Sequence, residues 1–361
     1  MGYSGGGGSG GGGGGSYGGD GGGGFSSASP PTAGAFRFNT DTSQLEIYDG
    51  NQWTGVLATS PEQQTGGARG IFAGNWNPTV LNTIDYINIA TTGNAIDFGD
   101  AIQVHYMATG VASRTRGVFH GFQGSPASHN NTLEYITISS TGNSIDFGGD
   151  LTAISQSSGS SCSDSTRGVF ALGQTPLLSD TINYITIAST GIDAGDFGNM
   201  TRDVGQQSGS FSNGTRGIFS GGGDPGVDNA ITYITISTLG NAADFGDLID
   251  GTRKEGSGAS NAVRGLFMSC SGPGNNNSIE YITIAQLGNA IDFGDLSNNA
   301  ELAASVASST RGVAGGGTSP TKLNVIDYVQ IATTGNAVDF GDRTVAGYGA
   351  AGMSNGHGGL G

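Results

Sequence analysis

The chain has 361 residues, of which 70 are glycine and only 12% are charged, and its formal net charge is −16. An acidic chain lacks the basic surface that nucleic acid or an anionic membrane requires, so we expect neither as a partner. So low a share of charged residues, about half of the usual value, is typical of β-rich extracellular or viral proteins rather than of helical cytosolic enzymes.

Residues 1–34 are a low-complexity leader, in which 17 of the first 24 residues are glycine. The leader has neither the basic nor the apolar region of a signal peptide, and no apolar run in the chain approaches ~18 residues, so we expect synthesis in a cytoplasm without membrane insertion. Two interpretations of the leader stay open. It is a flexible tether, or its glycine strands pack against those of partner chains, which requires an oligomer.

Residues 35–65 are the next predicted unit, a small β-hairpin module. Residues 36–39 and 45–48 alternate around a polar turn, which predicts two paired strands. Asp49-Gly50 predicts a second turn, and Trp53 follows it as an anchor. A lone hairpin is marginally stable in water, so we expect this module to pack on something else.

The pattern FRFNTDT…LEIYDG…W in this module resembles segments that are common in fibre and structural proteins of tailed phages. The resemblance implies that the N-terminal region attaches the chain to other virion proteins. It also implies a homo-oligomer, with a trimer favoured, because phage fibres are usually trimers.

Residues 66–342 contain six copies of one repeat. Each copy has an Arg-Gly pair, a tyrosine 17 or 19 residues later, and an Asp-Phe-Gly triplet 11 or 12 residues after the tyrosine. Successive tyrosines are 47 to 49 residues apart, and a period near 50 indicates a propeller or a solenoid. The tyrosines are Tyr86, Tyr135, Tyr184, Tyr233, Tyr281 and Tyr328.

Each copy predicts four strands and no helix. In the first copy, residues 69–74, 83–89 and 95–100 form three strands, the second with apolar residues on both faces, and a stretch such as 104–113 supplies the fourth. Four strands per period make one propeller blade. We therefore predict an all-β fold, a six-bladed, kelch-like β-propeller over residues 66–361, with blades starting near residues 69, 116, 167, 216, 264 and 311.

One strand is needed to complete the first blade. Residues 343–361 match the position of the fourth strand, and the chain ends where a seventh Arg-Gly would begin, at His357-Gly358. Residues 53–67 compete for the same place. The sequence leaves both alternatives open.

The repeat resembles the kelch repeat in its glycines after one strand and its aromatic residue after the next. It is still more similar to the TRGVF…GG…NTIDYITIATTGNAIDFGDL repeats of virion structural proteins from marine tailed phages. This resemblance spans residues 66–342 and implies a location in the virion, after synthesis in the host cytoplasm. It implies neither a ligand nor particular functional residues.

Two charged positions recur in the repeat. They form a ring of charge that lines a channel, or they are structural Arg–Asp pairs within or between blades, which we favour. The arginines are Arg69, Arg116, Arg167, Arg216, Arg264 and Arg311. The aspartates are Asp97, Asp146, Asp196, Asp244, Asp292 and Asp339. A buried pair would make Asp292→Ala cost ~3–5 kcal/mol of stability, far more than Ser297→Ala.

Signals of an enzyme are weak. A second acidic position three residues after the first, such as Asp100, has the chemistry to bind Ca²⁺, but acidic turn residues are common for their own hydrogen bonding. No metal-binding histidine pair, nucleophile elbow or phosphate-binding loop stands out. We expect no enzymatic activity, no cofactor and no metal, and we interpret Cys162 and Cys270 as free thiols.

Variable loops occupy one position in every copy, at residues 75–82, 122–131, 173–180, 222–229, 271–278 and 316–324. They should cluster on one face, where propellers bind ligands. Aromatic residues beside amides are suited to carbohydrate, although solvated connections have the same composition. The candidate binding residues are Trp76, Asn77, Phe122, Asn130, Asp224 and Asn276.

The leading hypothesis is a phage tail or head fibre-type protein, whose propeller binds host surface glycan or other virion proteins. The second is a capsid or tail decoration protein with no receptor role. The third is a cellular kelch-type adaptor, which the glycine leader and the fibre-type hairpin disfavour. Oligomeric order would separate them, because fibres are usually trimers, decoration proteins follow capsid symmetry and an adaptor is often monomeric.

Overall fold

The computed structural model describes residues 31–39, 44–55, 68–122, 130–155, 160–172, 178–205, 209–222, 228–249, 256–268, 277–318 and 320–357. These residues form strands, bridges and turns without any helix, so the all-β prediction is confirmed for them. It follows that no helix in these ranges could span a membrane. The chain divides into two compact units, residues 1–60 and 61–361. Residues 1–30 of the glycine-rich leader lie outside the described part.

The first unit contains an antiparallel sheet of three strands, β1 (Phe36–Asn39), β2 (Gln44–Tyr48) and β3 (Trp53–Gly55), in that order. The Arg37 guanidinium bonds to the Glu46 carboxylate at 2.6 Å and lies 4.4 Å from the ring centre of Trp53. Trp53 therefore packs within its own sheet, opposite Tyr48, rather than forming a strand of the repeat region.

The described residues of the second unit form six antiparallel sheets, one per repeat, which we number I to VI; the first two are joined by a shared strand. Four of them are separate four-stranded meanders. Sheet III has β10 (Ser160–Ser163), β11 (Arg167–Ala171), β12 (Ser179–Thr186) and β13 (Gly195–Val204). Sheet IV has β14 (Ser210–Ser212), β15 (Arg216–Gly222), β16 (Asp228–Thr235) and β17 (Ala243–Asp247). Sheet V has β18 (Ser257–Ser260), β19 (Arg264–Met268), β20 (Ser278–Thr283) and β21 (Ile291–Asp295). Sheet VI has β22 (Ala304–Ala307), β23 (Arg311–Gly315), β24 (Val325–Gln330) and β25 (Val338–Asp342).

Sheets I and II share one long strand and are joined as a seven-stranded sheet. Sheet I has β26 (Ala351–Ser354), β4 (Arg69–Trp76), β5 (Val80–Asn88) and the beginning of β6 (Ile96–Ala112). Sheet II has the end of β6, β7 (Arg116–Phe122), β8 (Asn130–Thr137) and β9 (Ile145–Ser155). The pairing register of β6 shifts between Asp100 and His105, where it leaves sheet I. One strand thus fills the fourth place in sheet I and the first place in sheet II.

The apolar residues of each sheet pack against the next sheet, as the two-sided apolar pattern of the tyrosine-bearing strand predicts. In β12, Ile182 and Ile185 lie on opposite faces, and both are buried. One core cluster joins sheets III and IV through Phe197 and Phe219. Equivalent clusters join I with II, II with III, IV with V, V with VI, and VI with I. The six cores therefore return from the last sheet to the first.

The first strands of neighbouring sheets also contact each other in a cycle. β6 contacts β10, and the contacts continue through β14, β18, β22 and β26 back to β6. Equivalent residues meet along these strands: the Ser212 hydroxyl donates to the Ser163 carbonyl at 2.5 Å, and the Ser260 hydroxyl donates to the Ser212 carbonyl at 2.8 Å. Equivalent strand ends therefore lie at the same end of the array.

The C-terminal strand β26 completes sheet I. It pairs with β4, with Met353 opposite Ile71 and Ala351 opposite Ala73. Of the two segments that the sequence allowed, the structure places the C-terminal one in this position, because residues 53–55 are paired with β2 instead. The first repeat therefore depends on residues more than 270 positions away in the chain.

A glycine in the Asp-Phe-Gly triplet sets how closely successive sheets approach. Gly246 has φ +150°, and a Cβ there would lie 2.4 Å from the carbonyl oxygen of Gly288 in the next sheet. Sheet II carries one extra residue at this point, and sheet III carries one extra residue in the facing turn. There a Cβ on Gly149 would lie 2.0 Å from the Ile192 carbonyl oxygen. The two inserted residues therefore lie at the same contact between sheets II and III.

Candidate functional site

The array has two different ends. At the turn end lie the turns that precede each Arg-Gly pair and the Gly-Asn turns that precede each fourth strand. At the loop end lie the strand ends that flank the variable loops, such as Trp76 at the end of β4 and Val80 at the start of β5. The turn end is nearly identical in all six repeats, whereas the loop end is not.

Each repeat arginine at the turn end links two sheets. Its guanidinium lies 4.3–4.8 Å from the ring centre of the tyrosine in its own repeat. Its Nη1 donates a hydrogen bond of 2.6–3.0 Å to an isoleucine carbonyl of the next repeat. The pairs are Arg69–Ile138, Arg116–Ile187, Arg167–Ile236, Arg216–Ile284, Arg264–Ile331 and Arg311–Ile89. The last pair connects the sixth repeat with the first.

The expected Arg–Asp pairing is wrong, although the arginines do link blade-like sheets. All six aspartates of the triplet are exposed, and no ion pair among the described residues joins one of them to a repeat arginine. Asp146 and Asp196 accept a hydrogen bond from the glycine N–H two residues later. The guanidinium contacts the half-buried tyrosine ring and a backbone carbonyl of the next sheet, whereas the exposed carboxylate of the aspartate stays solvated.

Replacement of Arg264 by alanine should destabilise the protein far more than replacement of Asp292. Arg264→Ala removes a cation–π contact and a charge-assisted hydrogen bond, so we expect a loss of about 2–3 kcal/mol in the free energy of unfolding. Asp292→Ala should cost less than about 0.5 kcal/mol, because its side chain is exposed. Arg264→Lys should recover only part of the loss, since an ammonium cannot stack like a planar guanidinium. Urea denaturation checks this, and an equal cost for both alanine variants would contradict it.

The turn asparagines have a role that the sequence did not indicate. The Oδ1 of each one accepts a backbone N–H from the second acidic position of the preceding repeat at 3.0–3.2 Å. In the third repeat Ile192 replaces asparagine, and the next residue, Asp193, accepts the bond instead. The residues at the second acidic position therefore contribute their backbone to a contact between sheets.

A third recurring position escaped the sequence analysis. The residue before each tyrosine is polar but almost completely buried: Asp85, Glu134, Asn183, Thr232, Glu280 and Asp327. Most of them accept hydrogen bonds from the fourth strand of the preceding sheet or from the residues just after it. The Glu134 carboxylate accepts the Ile102 and Gln103 N–H groups at 2.9 and 3.0 Å, and Asp327 accepts the Ser297 N–H at 2.9 Å. The sequence signal that could have revealed this position is a polar residue at a fixed place in an otherwise apolar strand.

Charge at this buried position differs between repeats. The Arg343 guanidinium lies 3.3 Å from the Asp85 carboxylate, and both side chains are buried. The His105 ring contacts the Glu134 carboxylate at 3.0 Å. Burial raises the pKa of Glu134, but the hydrogen bond from His105 and further donors outweigh burial and hold that pKa below its usual value. Burial raises the pKa of Asp327, and the Ser297 donors offset this only in part.

Two histidines, the buried His120 and the half-buried His357, make stability depend on pH. Burial lowers the pKa of His120 and of His357 from 6.5 to about 4. Below pH 6.5 the unfolded chain takes up protons that the folded chain does not, so stability is full above pH 6.5 and falls as the pH decreases towards 4. We expect a loss of about 2 kcal/mol per histidine between pH 7 and pH 5.

Urea denaturation at these two pH values measures the loss, and the double variant His120→Asn/His357→Gln is the comparison. The variant should lose much less stability over the same interval, whatever its stability at pH 7. A pH dependence identical to that of the wild-type chain would contradict the assignment to these histidines.

The first strands of the six sheets surround a cavity of about 600 Å³, measured out to its open mouth. Serine, glycine and alanine line it, and the serine hydroxyls bond to one another or to carbonyls, as Ser161 does to Gly110 and Ser210 to Ser161. At the mouth, Gly349 N–H donates to Leu302 O, and Ala108 N–H donates to Gly349 O. No charged side chain lines the cavity, so it is a narrow polar space without acid–base groups.

The loop end holds an aromatic cluster, which we call the Trp76 cluster: Trp76, Tyr106, Tyr348, Lys322 and Asn77. The ring centres of Trp76 and Tyr348 are 5.2 Å apart, and those of Tyr106 and Tyr348 are 5.5 Å apart. The Lys322 Nζ lies 4.0 Å from the Trp76 ring centre and donates to Asn77 Oδ1 at 3.2 Å. Three aromatic rings, an amide and a cation thus meet at one point.

Of the predicted binding residues, Trp76 and Asn77 lie together in this cluster. Phe122 ends β7 and Asn130 begins β8, so their backbones lie at the loop end. Asp224 and Asn276 lie outside the described residues, as does Cys270. Sequence reasoning missed Tyr106, Lys322 and Tyr348, which precede or follow the repeat motifs and carry no pattern of their own.

Other reactive groups in the described part are inert or dispersed. Cys162 is a free thiol buried between sheets III and IV, and burial raises its pKa. A Cβ on Gly217 would lie 2.3 Å from the Cys162 sulfur, so this thiol fills a core position. Within the described ranges no three His, Cys, Asp or Glu side chains are grouped as metal ligands.

The chain matches no known family model and no curated protein.

Proposed function

We propose that this chain is a virion protein of the tail or head fibre type, which binds a surface through the loop end of a closed six-bladed β-propeller. The observation that carries the proposal is the difference between the two ends of the array. The turn end repeats one set of contacts six times, whereas the loop end carries the variable segments and the Trp76 cluster. Variation confined to one end is typical of a binding scaffold.

Three features support closure into a single ring. Cores join each pair of successive sheets, including VI with I. The first strands contact one another in a cycle of six, and the Arg311 Nη1 donates to the Ile89 carbonyl in the same way as its five equivalents. The C-terminal strand β26 pairs with β4, the first strand of the first repeat, and so covers the edge of β4 that would otherwise be open.

The virion location rests on resemblance and on the first unit. The hairpin pattern is similar to that of phage fibre proteins, and its sheet exposes Phe36 and Phe38 by 63% and 62%. Two aromatic side chains so exposed on a three-stranded sheet are typical of a surface that a partner covers. We assign this role to other virion proteins or to further copies of the chain, with a trimer favoured.

Immunogold labelling tests the proposal. Antibody raised against residues 66–342 is applied to particles from the source lysate, and the purified full-length chain is added to cells to compete with particle adsorption. Label at a tail or fibre tip together with slower adsorption is the expected result. Label spread over heads or along a tube, with adsorption unchanged, would replace receptor binding by a decoration role. Absence of label from every particle would overturn the virion assignment.

A further inference from the structure

The Trp76 cluster breaks the sixfold pattern of the repeats. Residues equivalent to Trp76 in the other copies are Gln123, Gln174, Gly223, Ser271 and Thr318. Tyr106 and Tyr348 stand at equivalent positions before the first strands of sheets II and I, where sheet VI has Glu301. The contacts that join the sheets need none of these side chains. The cluster is therefore an addition to the scaffold rather than a part of it.

Lys322, the cation of the Trp76 cluster, has an unusual environment for so acidic a chain. The sequence contains 29 acidic residues, 13 basic residues and only two lysines. Among the described residues Lys322 forms no ion pair, although three of the arginines do. The Asn77 amide and the Trp76 ring hold its ammonium group in place, and Asn77 is itself held by its Nδ2 bond to the Ala346 carbonyl at 2.8 Å.

The bonds of Lys322 leave room for a ligand. An ammonium group has three donors, and Asn77 Oδ1 is the one oxygen bonded to Nζ within the described part. Lys322, Trp76 and Tyr348 are each partly exposed at this end. A carboxylate that reached Nζ would form a charge-assisted hydrogen bond, and the neighbouring rings would offer apolar surface to the body of the ligand.

The net charge of −16 does not prevent an acidic ligand from binding here. Eleven acidic residues occupy the two recurring positions on the fourth strands, which start at the turn end. The effect of exposed charges falls off over about 8 Å at physiological ionic strength. Most of the negative charge is therefore screened at Lys322, and Glu301, which is bridged to Thr318 beside Lys322, is the acidic residue that the repeat pattern places near this end.

We propose that the Trp76 cluster is a subsite for a carboxylated sugar residue, of the uronic-acid type, in a surface polysaccharide. Lys322 binds the carboxylate, and Trp76 with Tyr348 contacts the sugar ring. This inference rests on the proposed surface-binding function and gives its ligand a chemical class.

Calorimetric titration of the full-length chain at physiological salt tests the subsite. The probes are polygalacturonate and alginate, each compared with its carboxyl-reduced neutral form. We expect the wild-type chain to bind at least one acidic polymer about tenfold more tightly than its reduced form, and Lys322→Gln to lose about tenfold in affinity. Lys254→Gln removes the same charge elsewhere in the sequence and should stay within about twofold of the wild-type chain.

Three results would overturn the subsite: equal binding of acidic and reduced polymers, unchanged binding by Lys322→Gln, or no binding of either acidic polymer. Thermal melts of both lysine variants show whether a loss of affinity reflects unfolding, and Lys322→Arg, which keeps the charge, should retain most of the binding. If the titration overturns the subsite but gold label is found at fibre tips, the proposed surface-binding function still stands. Absence of label from particles would remove the function itself.

Discussion

Deletion of residues 350–361 should abolish cooperative folding of the repeat region. The deletion removes β26, exposes the edge of β4 and leaves the places of Ala351 and Met353 empty in the core between sheets I and II. Each buried backbone group that loses its partner costs about 1–3 kcal/mol. The sum is comparable to the net stability of a whole domain, about 5–15 kcal/mol.

Urea denaturation followed by circular dichroism measures this effect. Deletion of residues 358–361 alone is the matched control and should leave the transition near that of the wild-type chain, because it keeps β26 and His357. A synthetic peptide of residues 343–357, added to the longer deletion, should restore part of the transition. A cooperative transition of wild-type midpoint without residues 350–361 would show that the first repeat does not depend on this strand.

Gly246→Ala should strongly destabilise the contact between sheets IV and V. A methyl group at Gly246 meets the Gly288 carbonyl oxygen at 2.4 Å, and backbone cannot move aside as a flexible side chain can. Gly288 has nearly the same φ, +151° against +150°, but open space around its missing Cβ. Gly288→Ala should therefore show the cost of the backbone conformation alone, about 1–3 kcal/mol.

Gly246→Ala adds the clash to this strain and should cost about 4 kcal/mol or more, with separation of sheets IV and V. Thermal unfolding of the two variants in parallel measures the difference. Equal destabilisation would mean that the sheets can move apart at this contact without loss, and that the glycine is required only for its φ.

A good part of the repeat architecture could be predicted from local pattern. The spacing of Arg-Gly, tyrosine and Asp-Phe-Gly located the repeats, and alternation with β-branched residues located strands such as β5 and β12. Two-sided apolar patterns also predicted that each sheet is covered on both faces. These features follow from neighbours within a few residues, and their sixfold recurrence makes the pattern unambiguous.

The partners of polar side chains could not be predicted in the same way. Arg264 stands three residues after Asn261 and 28 residues before Asp292, yet it bonds to Ile331 in the next sheet. Asp327 bonds to Ser297 in the preceding sheet. The partner in each case is chosen by how two sheets stack, and charge type alone favoured the wrong pair.

The sequence by itself determined the six repeats and most of their strands, because backbone conformation and apolar alternation are encoded locally. Only the tertiary structure decided that β26 completes the first sheet and that Trp76, Tyr106, Lys322 and Tyr348 meet at one end. Those residues are separated by up to 272 positions, and they come together because the last repeat packs against the first. The candidate site lies at this junction, the one place where the repeats do not continue into each other along the chain.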